Sequence, residues 1–362
     1  TGRAVCREDA RMGVADEDTL RKHYERAASQ GADPEFLPET EGGFTGVIGI
    51  LKCGPGPVIA FRFDMDALPV TECKENDHLP FAEGFASVNE GVMHACGHDG
   101  NVTVGLGTAR LLCSLREYLH GTVKFIFQPA EEGLRGARSI AEAGHLDDVD
   151  HVFASHMGDI REIGPGYAQE SGCERKFSLG VDDNLTLAST KMDVYFYGKA
   201  SHAGIAPQNG RNALTAAACA VQNLYGIPRN GEADTRINVG TLHAGTGRNI
   251  ICDHAKMEME VRASTTEASR YMENCAENVI KGAALMYGCD YEIRICGAAT
   301  NSANTPDLMK RVQRISQEKL NLACPDTGKG LHGGSEDYSF FADAVKAHGG
   351  QSCYFMNYSP CR

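Results

Sequence analysis

The chain has no tryptophan, no block of basic residues, no apolar run long enough to span a bilayer, and no paired C-x-x-C sets at finger spacing. The missing tryptophan decides nothing; the other absences each close a class. Nucleic acid is excluded as a partner, because phosphate binding needs clustered Lys and Arg. A membrane-spanning helix is excluded for want of ~20 consecutive apolar residues. A zinc-finger scaffold is excluded by the cysteine spacing. Internal repeats, low-complexity segments and acidic blocks are missing too. The net charge of −13, from 48 acids and 35 bases, therefore reads as a solvated surface rather than an acidic tail.

What is plentiful is cysteine: 14, irregularly spaced, in a chain of 362 residues that is too large to need disulfide staples. The first residues, TGRAVCRED, are charged and polar, and no signal peptide is visible. Reduced thiols and a cytoplasmic location are expected. The start at Thr1 rather than Met points to a trimmed or incomplete N-terminus. Single cores stop growing near about 250–300 residues, so two domains are expected.

Periodicity divides the chain. Residues 1–46 read as helical and polar, with Asp16 a candidate N-cap before EDTLRKHYERAASQ. VIGILK and VIAFRF read as strands, 70–92 as a long loop, VTVGLGTARLLCSLREYL as a helix, GTVKFIFQ as a strand, EGLRGARSIAEAG as a helix and HVFASH as a strand. Strands alternating with helices predict an α/β fold with a largely parallel sheet. From about residue 191 the order becomes strand, helix, strand, strand, helix, strand, a ferredoxin-like α+β unit. TPDLMKRVQRISQEKL and SEDYSFFADAVKAHGG then return to the first style. The expectation is a catalytic domain of residues 1–190 and 301–362, with residues 191–300 inserted as a smaller domain.

Polar groups cluster at strand ends. VIAFRF runs into Asp64-Met-Asp66, GTVKFIFQ into Pro129-Ala-Glu131-Glu132, and HVFAS into His156; His94-Ala-Cys96-Gly-His98-Asp99 lies on a loop before a helix. In open α/β sheets ligands bind beyond the carboxyl ends of strands. Carboxylate, imidazole and thiolate together are the ligand set of a zinc- or manganese-like site. Two adjacent glutamates suit a division of labour, one on metal and one facing the attacking water as general base.

The segments FRFDMDALP, MHACGHDG, FIFQPAEEG, ASHMG, ASHAG, GRNAL and GGSEDYSFF resemble, in order, the M20 metallopeptidase family. Within it they resemble the amidohydrolases that act on N-acyl amino acids such as hippurate and indole-acetyl amino acids. EGGFTGV, FASVNEGVMHACGHDG, HAGTGRNI, KGAALMYG and CGAAT narrow the resemblance to hydrolases of aroyl amino acids. The resemblance implies two divalent metal ions, Mn or Zn. It implies Cys96 bridging them, with His98, Glu132 and His156 as the other ligands. Glu131 would be general base and acid, and Asp66 would orient a ligand. His202 would reach into a partner subunit's site to stabilise an oxyanion, unless it is simply a histidine at a turn. Asn249 and Arg262 would contact the substrate carboxylate, though Arg262 also reads as a solvated strand charge. The inserted unit would serve as lid and dimerisation domain, in a homodimer or a heterodimer with a related subunit.

Three departures stand out. The family usually reads CGHDGH, where this chain has Asn101 in the last position. The stretch from Asp159 to Ser189 is longer than expected and reads as an insertion. The family's fifth ligand, a His after a segment like CYFMNYSP, would fall beyond Arg362, so the chain is read as a fragment or as lacking that ligand. These departures keep two rivals open: a catalytically weak or inactive partner subunit, and a metal-dependent binding module without chemistry.

Overall fold

The computed structural model describes residues 15–159, 177–181, 186–322, 324 and 334–359. Helix α1 (Glu17–Ser29) starts where expected, with Asp16 accepting from the Thr19 amide at 3.0 Å. Its polar continuation is not α-helical; Leu37–Gly43 form a 3₁₀ segment with non-helical dihedrals inside. Strand β1 (Val47–Lys52) and β2 (Val58–Asp64) follow. Then come α2 (His98–Ser114), β3 (Thr122–Gln128), α3 (Gly136–Glu142), β4 (His151–Asp159) and β5 (Ser178–Gly180).

These strands, with β12 (Gln351–Ser359), form a six-stranded sheet in the order β1-β3-β2-β4-β12-β5. Its four inner strands are parallel; β1 and β5 run antiparallel at the edges. Helices cover both faces. Ala109 and Leu112 of α2 pack on Leu51, Phe63, Val123 and Phe125. On the other face Ala137 of α3 joins Phe341 and Val345 of α7 (Ser339–Ala347) over Ala60, Ile126, Val152 and Tyr354. Gly105 lets α2 lie close, since a Cβ there would sit 2.7 Å from the Phe63 ring and 2.8 Å from Phe127.

Between these parts run β6 (Ala188–Tyr197), the two-residue β7 (Ser201–His202), α4 (Ala213–Tyr225), β8 (Thr235–Ala244), the two-residue β9 (Ile250–Ile251), β10 (His254–Ala263), α5 (Thr266–Met286) and β11 (Asp290–Ala299). The long strands make a four-stranded antiparallel sheet, β11-β6-β10-β8. The small face of α4 (Ala213, Ala216, Ala217, Ala220) and Met272, Ala276 and Ile280 of α5 cover one side over Val194, Phe196 and Met257. Helix α6 (Pro306–Leu320) leads back to the larger sheet.

Several expectations need correction. Helix α2 begins at His98, so His98 and Asp99 belong to its first turn rather than to a loop; Gly97, at φ +86°, makes the bend. Residues 131–135 are a tight turn, and α3 is shorter than the apolar spacing suggested. Strand β4 continues past HVFASH to Asp159. Strand β6 starts at Ala188, before residue 191. Ser178–Gly180, inside the stretch read as an insertion, is an edge strand on β12; residues 160–176 and 182–185 of that stretch lie outside the described residues. No helix among the described residues is long and apolar enough to cross a membrane, and all 11 cysteines among them are free.

Candidate metal centre

The site forms where β2, β3 and β4 end and α2 begins. Cys96 Sγ lies 3.5 Å from His156 Nε2, and the rings of His98 and His156 meet edge-on with centroids 5.3 Å apart. Each imidazole is fixed from behind: His98 Nδ1 bonds the Asp66 carbonyl at 2.9 Å, and His156 Nδ1 bonds the Met157 carbonyl at 2.7 Å. Both Nε2 atoms therefore face inward. His98 Nε2 stands 3.7 Å from Asp64 Oδ2, 3.8 Å from Glu131 Oε2 and 3.9 Å from Glu132 Oε1. These separations are too long for hydrogen bonds and suit donors arranged around a shared cation. His98 Nε2 and Glu132 Oε1 are buried with no hydrogen-bond partner. Native interiors rarely leave such atoms unsatisfied, so the donor set fits a bound metal.

The turn that delivers the two glutamates is strained. Ala130 and Leu134 have φ of 58° and 56°, a left-handed conformation that costs about 1–2 kcal/mol per non-glycine residue. Asp66 holds this turn: Oδ1 accepts from the Glu131 amide at 2.9 Å and Oδ2 from the Glu132 amide at 3.0 Å. Burial alone would raise the Asp66 carboxyl, but its bond with His98 and these two amides hold it below the ordinary value. The bond from His156, with help from His98, pulls the Cys96 thiol down toward thiolate, the form that binds metal.

Beneath the glutamates lies a fully buried guanidinium. Arg62 donates to Gln128 Oε1 (2.8 Å), Asp64 Oδ2 (2.7 Å), Glu336 Oε1 (2.8 Å) and Asp337 Oδ1 (3.1 Å). Asp337 also accepts from Gln128 Nε2 and the Ala137 amide, and Glu336 accepts from the Tyr354 hydroxyl at 3.0 Å. One cation thus faces Asp64, Glu336, Asp337 and Glu131. Burial pushes Glu131 well above the usual carboxylate value, Glu336 and Asp337 push it further, and Arg62 opposes them. Burial also pushes Asp337 up, to about 7, against the pull of Arg62. Asn101 is buried and donates to Asp64 Oδ1 at 2.6 Å, so the departure from the family pattern is a hydrogen-bond donor to the carboxylate that Arg62 also holds.

The structure brings together Asp66, Cys96, His98, Glu131, Glu132 and His156. His202 and Asn249 are joined to each other instead: β7 pairs with β9, and the Ala203 amide bonds the Asn249 carbonyl at 2.9 Å. No hydrogen bond among the described residues ties either to the metal-centre cluster. His202 is exposed, and its Nδ1 accepts from the Gly204 and Ile205 amides at 3.2 and 3.1 Å. That places the ring proton on Nε2, which is left as a donor. Arg262 lies on β10, forked onto Glu260 at 3.0 and 3.1 Å, beside Arg236. Sequence reasoning placed Asp64 among the strand-end carboxylates but gave no role to Arg62, Glu336, Asp337 or Lys191, whose Nζ bonds the Glu132 carbonyl at 2.8 Å. The one available signal was an arginine inside the apolar strand VIAFRF.

The chain is 42% identical to one of the subunits of p-aminobenzoyl-glutamate hydrolase from Escherichia coli K12 over 356 residues, 98% of this chain and 79% of that one. It is 43% identical to indole-3-acetyl-aspartic acid hydrolase of Enterobacter agglomerans over 363 residues, again covering 98% and 79%. Its fold matches the crystal structure of the aminobenzoyl-glutamate utilization protein of Klebsiella pneumoniae with a TM-score of 0.78 at 36% identity, covering 98% of this chain and 80% of that one. Residues 60–361 match peptidase family M20/M25/M40, and with relatives this similar over nearly its whole length, the chain belongs to that family.

Proposed function

We propose that this chain hydrolyses the amide bond of an N-acyl amino acid, p-aminobenzoyl-glutamate or a close aroyl analogue, using bound divalent metal and Glu131. The observation that carries the reading is the pair of buried, unpartnered donors His98 Nε2 and Glu132 Oε1 beside the Cys96–His156 contact. The Cys96, His98 and His156 donor atoms lie within 4.8 Å of one another, as do those of His98, Glu131 and Glu132, which supports divalent metal at this end of the sheet. Cys96, His98, Glu132 and His156 would hold the divalent metal; zinc and manganese both accept such donors. Bound metal would supply Lewis acidity to acidify a water and polarise the scissile carbonyl.

Glu131 takes the proton of the attacking water and returns it to the leaving nitrogen, so that amide and water become carboxylic acid and amine. Glu131 is buried, with Oε2 3.8 Å from His98 Nε2, beside the donors that would hold the metal. Asp66 holds the Glu131–Glu132 turn and the His98 ring in one geometry. His202, with its proton on Nε2, donates to the developing oxyanion from a partner subunit. Asn249 and Arg262 hold the substrate carboxylate. In this reading, residues 1–190 and 301–362 are the catalytic domain in a cytoplasmic homodimer or a heterodimer with a related subunit. Residues 191–300 are the inserted lid and dimerisation domain, with the crossing moved to Ala188 by β6.

A second reading, a weakly active partner subunit, draws on Asn101. The test is release of p-aminobenzoate and glutamate by the metal-loaded full-length protein, with Glu131→Gln as control. Hippurate and indole-3-acetyl-aspartate serve as alternative substrates. Turnover of p-aminobenzoyl-glutamate that vanishes in the control supports the reading. Turnover only of the alternatives keeps the mechanism and discards the substrate. A metal-loaded protein inert to all three favours the second reading.

A further inference from the structure

The face of the four-stranded sheet turned away from α4 and α5 carries a row of polar side chains that begins at the metal centre. Lys191 of β6, whose Nζ bonds the Glu132 carbonyl at 2.8 Å, lies opposite Glu260 of β10, and Glu260 lies opposite Asn238 of β8. In the next row along, Arg262 of β10 lies opposite Arg236 of β8. Opposite residues in antiparallel strands point to one face, and so do residues two apart, so all five share this face. Arg236, Asn238, Glu260 and Arg262 line an opening of about 330 Å³ on it. Its charges do not balance. Glu260 has both oxygens on Arg262, at 3.0 and 3.1 Å. Arg236 is exposed, and no hydrogen bond or ion pair joins it to another described residue. Like charges set directly opposite weaken a sheet, and Arg236 has no local anion to offset Arg262. Asn238 adds a donor. The Tyr225 hydroxyl accepts from the Val239 amide at 3.0 Å and donates to Asn238 Oδ1 at 3.2 Å, which leaves Nδ2 unspoken for.

We propose that Arg236 is the specificity-determining residue that selects acyl derivatives of a dicarboxylic amino acid. Arg262 takes the α-carboxylate, and Arg236, with Asn238 Nδ2, takes the side-chain carboxylate. The inference rests on the amide-hydrolysis reading and on the role proposed there for Arg262. Opposite Cβ atoms stand about 4.5–5.5 Å apart, a span that suits two carboxylates separated by a short carbon chain. A substrate with one carboxylate leaves the second guanidinium facing the first uncompensated; a substrate with two neutralises both. Arginine suits the task because its planar fork meets a carboxylate through paired hydrogen bonds. The row from Lys191 to Asn238 puts this recognition on the strands next to the one that touches the Glu131–Glu132 turn.

The test compares p-aminobenzoyl-glutamate with p-aminobenzoyl-glutamine, which has the same shape and lacks only the side-chain charge. kcat/KM is measured for both with metal-loaded full-length wild type, Arg236→Ala and Arg236→Lys, and calorimetric titration of the same proteins gives binding. Wild type should prefer the glutamate compound about tenfold or more, the effect of one bond to a charged group. Arg236→Ala should bring the ratio close to one, and Arg236→Lys should restore part of it. Arg236→Ala should also unfold at no lower urea concentration than wild type, because it removes one of two facing like charges. A wild type without the preference, or an Arg236→Ala protein that keeps it, overturns the clamp. A protein that hydrolyses neither compound but binds the glutamate compound more tightly, in a way that Arg236→Ala abolishes, keeps the clamp and loses the hydrolysis. A protein that binds and hydrolyses neither overturns both.

Discussion

Replacing Asp66 with alanine removes the clamp on the Glu131–Glu132 turn while every proposed metal ligand and the proposed base keep their own side chains. Two amide-to-carboxylate bonds disappear, those from Glu131 and Glu132. Hydrogen bonds to a charged group contribute about 1.5–3 kcal/mol each, so the pair contributes roughly 3–6 kcal/mol. The Asp66 side chain keeps 20% exposure, and water can replace part of each bond, so the lower end applies. The strained backbone at Ala130 and Leu134 then has less to hold it, and Glu132 loses its fixed direction. Losses at residues that orient metal ligands typically run about 10–100-fold in metal affinity, in line with about 3 kcal/mol shared between folding and binding. Metal affinity is read by competition with a chromophoric chelator, and folding by urea unfolding of the metal-free protein. Asp66→Asn keeps one carbonyl acceptor and should fall between alanine and wild type. An Asp66→Ala protein that binds metal as wild type does and unfolds at the same urea concentration refutes the clamp.

Other perturbations test separate links. Arg62→Met leaves Asp64, Glu336 and Asp337 without their cation and should lower unfolding free energy by about 3–5 kcal/mol, measured in urea. Arg62→Lys keeps the charge but not the fork and should recover only part of that loss. Gly105→Ala drives a methyl group into Phe63 and Phe127 and should cost about 1–3 kcal/mol. Because α2 begins at His98, the same variant should also weaken metal binding in the chelator assay. The proposed oxyanion role of His202 predicts that His202→Ala lowers kcat about 10²–10³-fold with metal content unchanged by elemental analysis.

The parts of the fold that show in the sequence are those whose cause is local. Alternation marked β10 and β11, helical spacing marked α5 and α6, and Asp16 marked the start of α1. Strand β12 escaped because its alternation follows a helix and its partners, β4 and β5, lie far away in sequence. The start of α2 was set too late because Gly97, at φ +86°, turns the chain straight into the helix at His98, and β4 continues beyond His156 because its tail pairs with β12 as far as Asp159. At the candidate site the ligand types and their strand-end positions were readable, because polar residues interrupt apolar runs there. The Arg62 network was not, since Arg62 meets Glu336 across 274 residues and only folding reveals the pair. The His202 tautomer was equally hidden, because it depends on two backbone amides of its own turn.

The central claim is that Glu131 moves the proton while its neighbours hold metal. The decisive measurement is kcat on p-aminobenzoyl-glutamate, with metal content determined on the same samples, for wild type and Glu131→Gln. The account predicts unchanged metal content and a kcat lower by about 10²–10⁴, the contribution of a positioned general base. A Glu131→Gln protein that keeps its metal and turns over at the wild-type rate contradicts it.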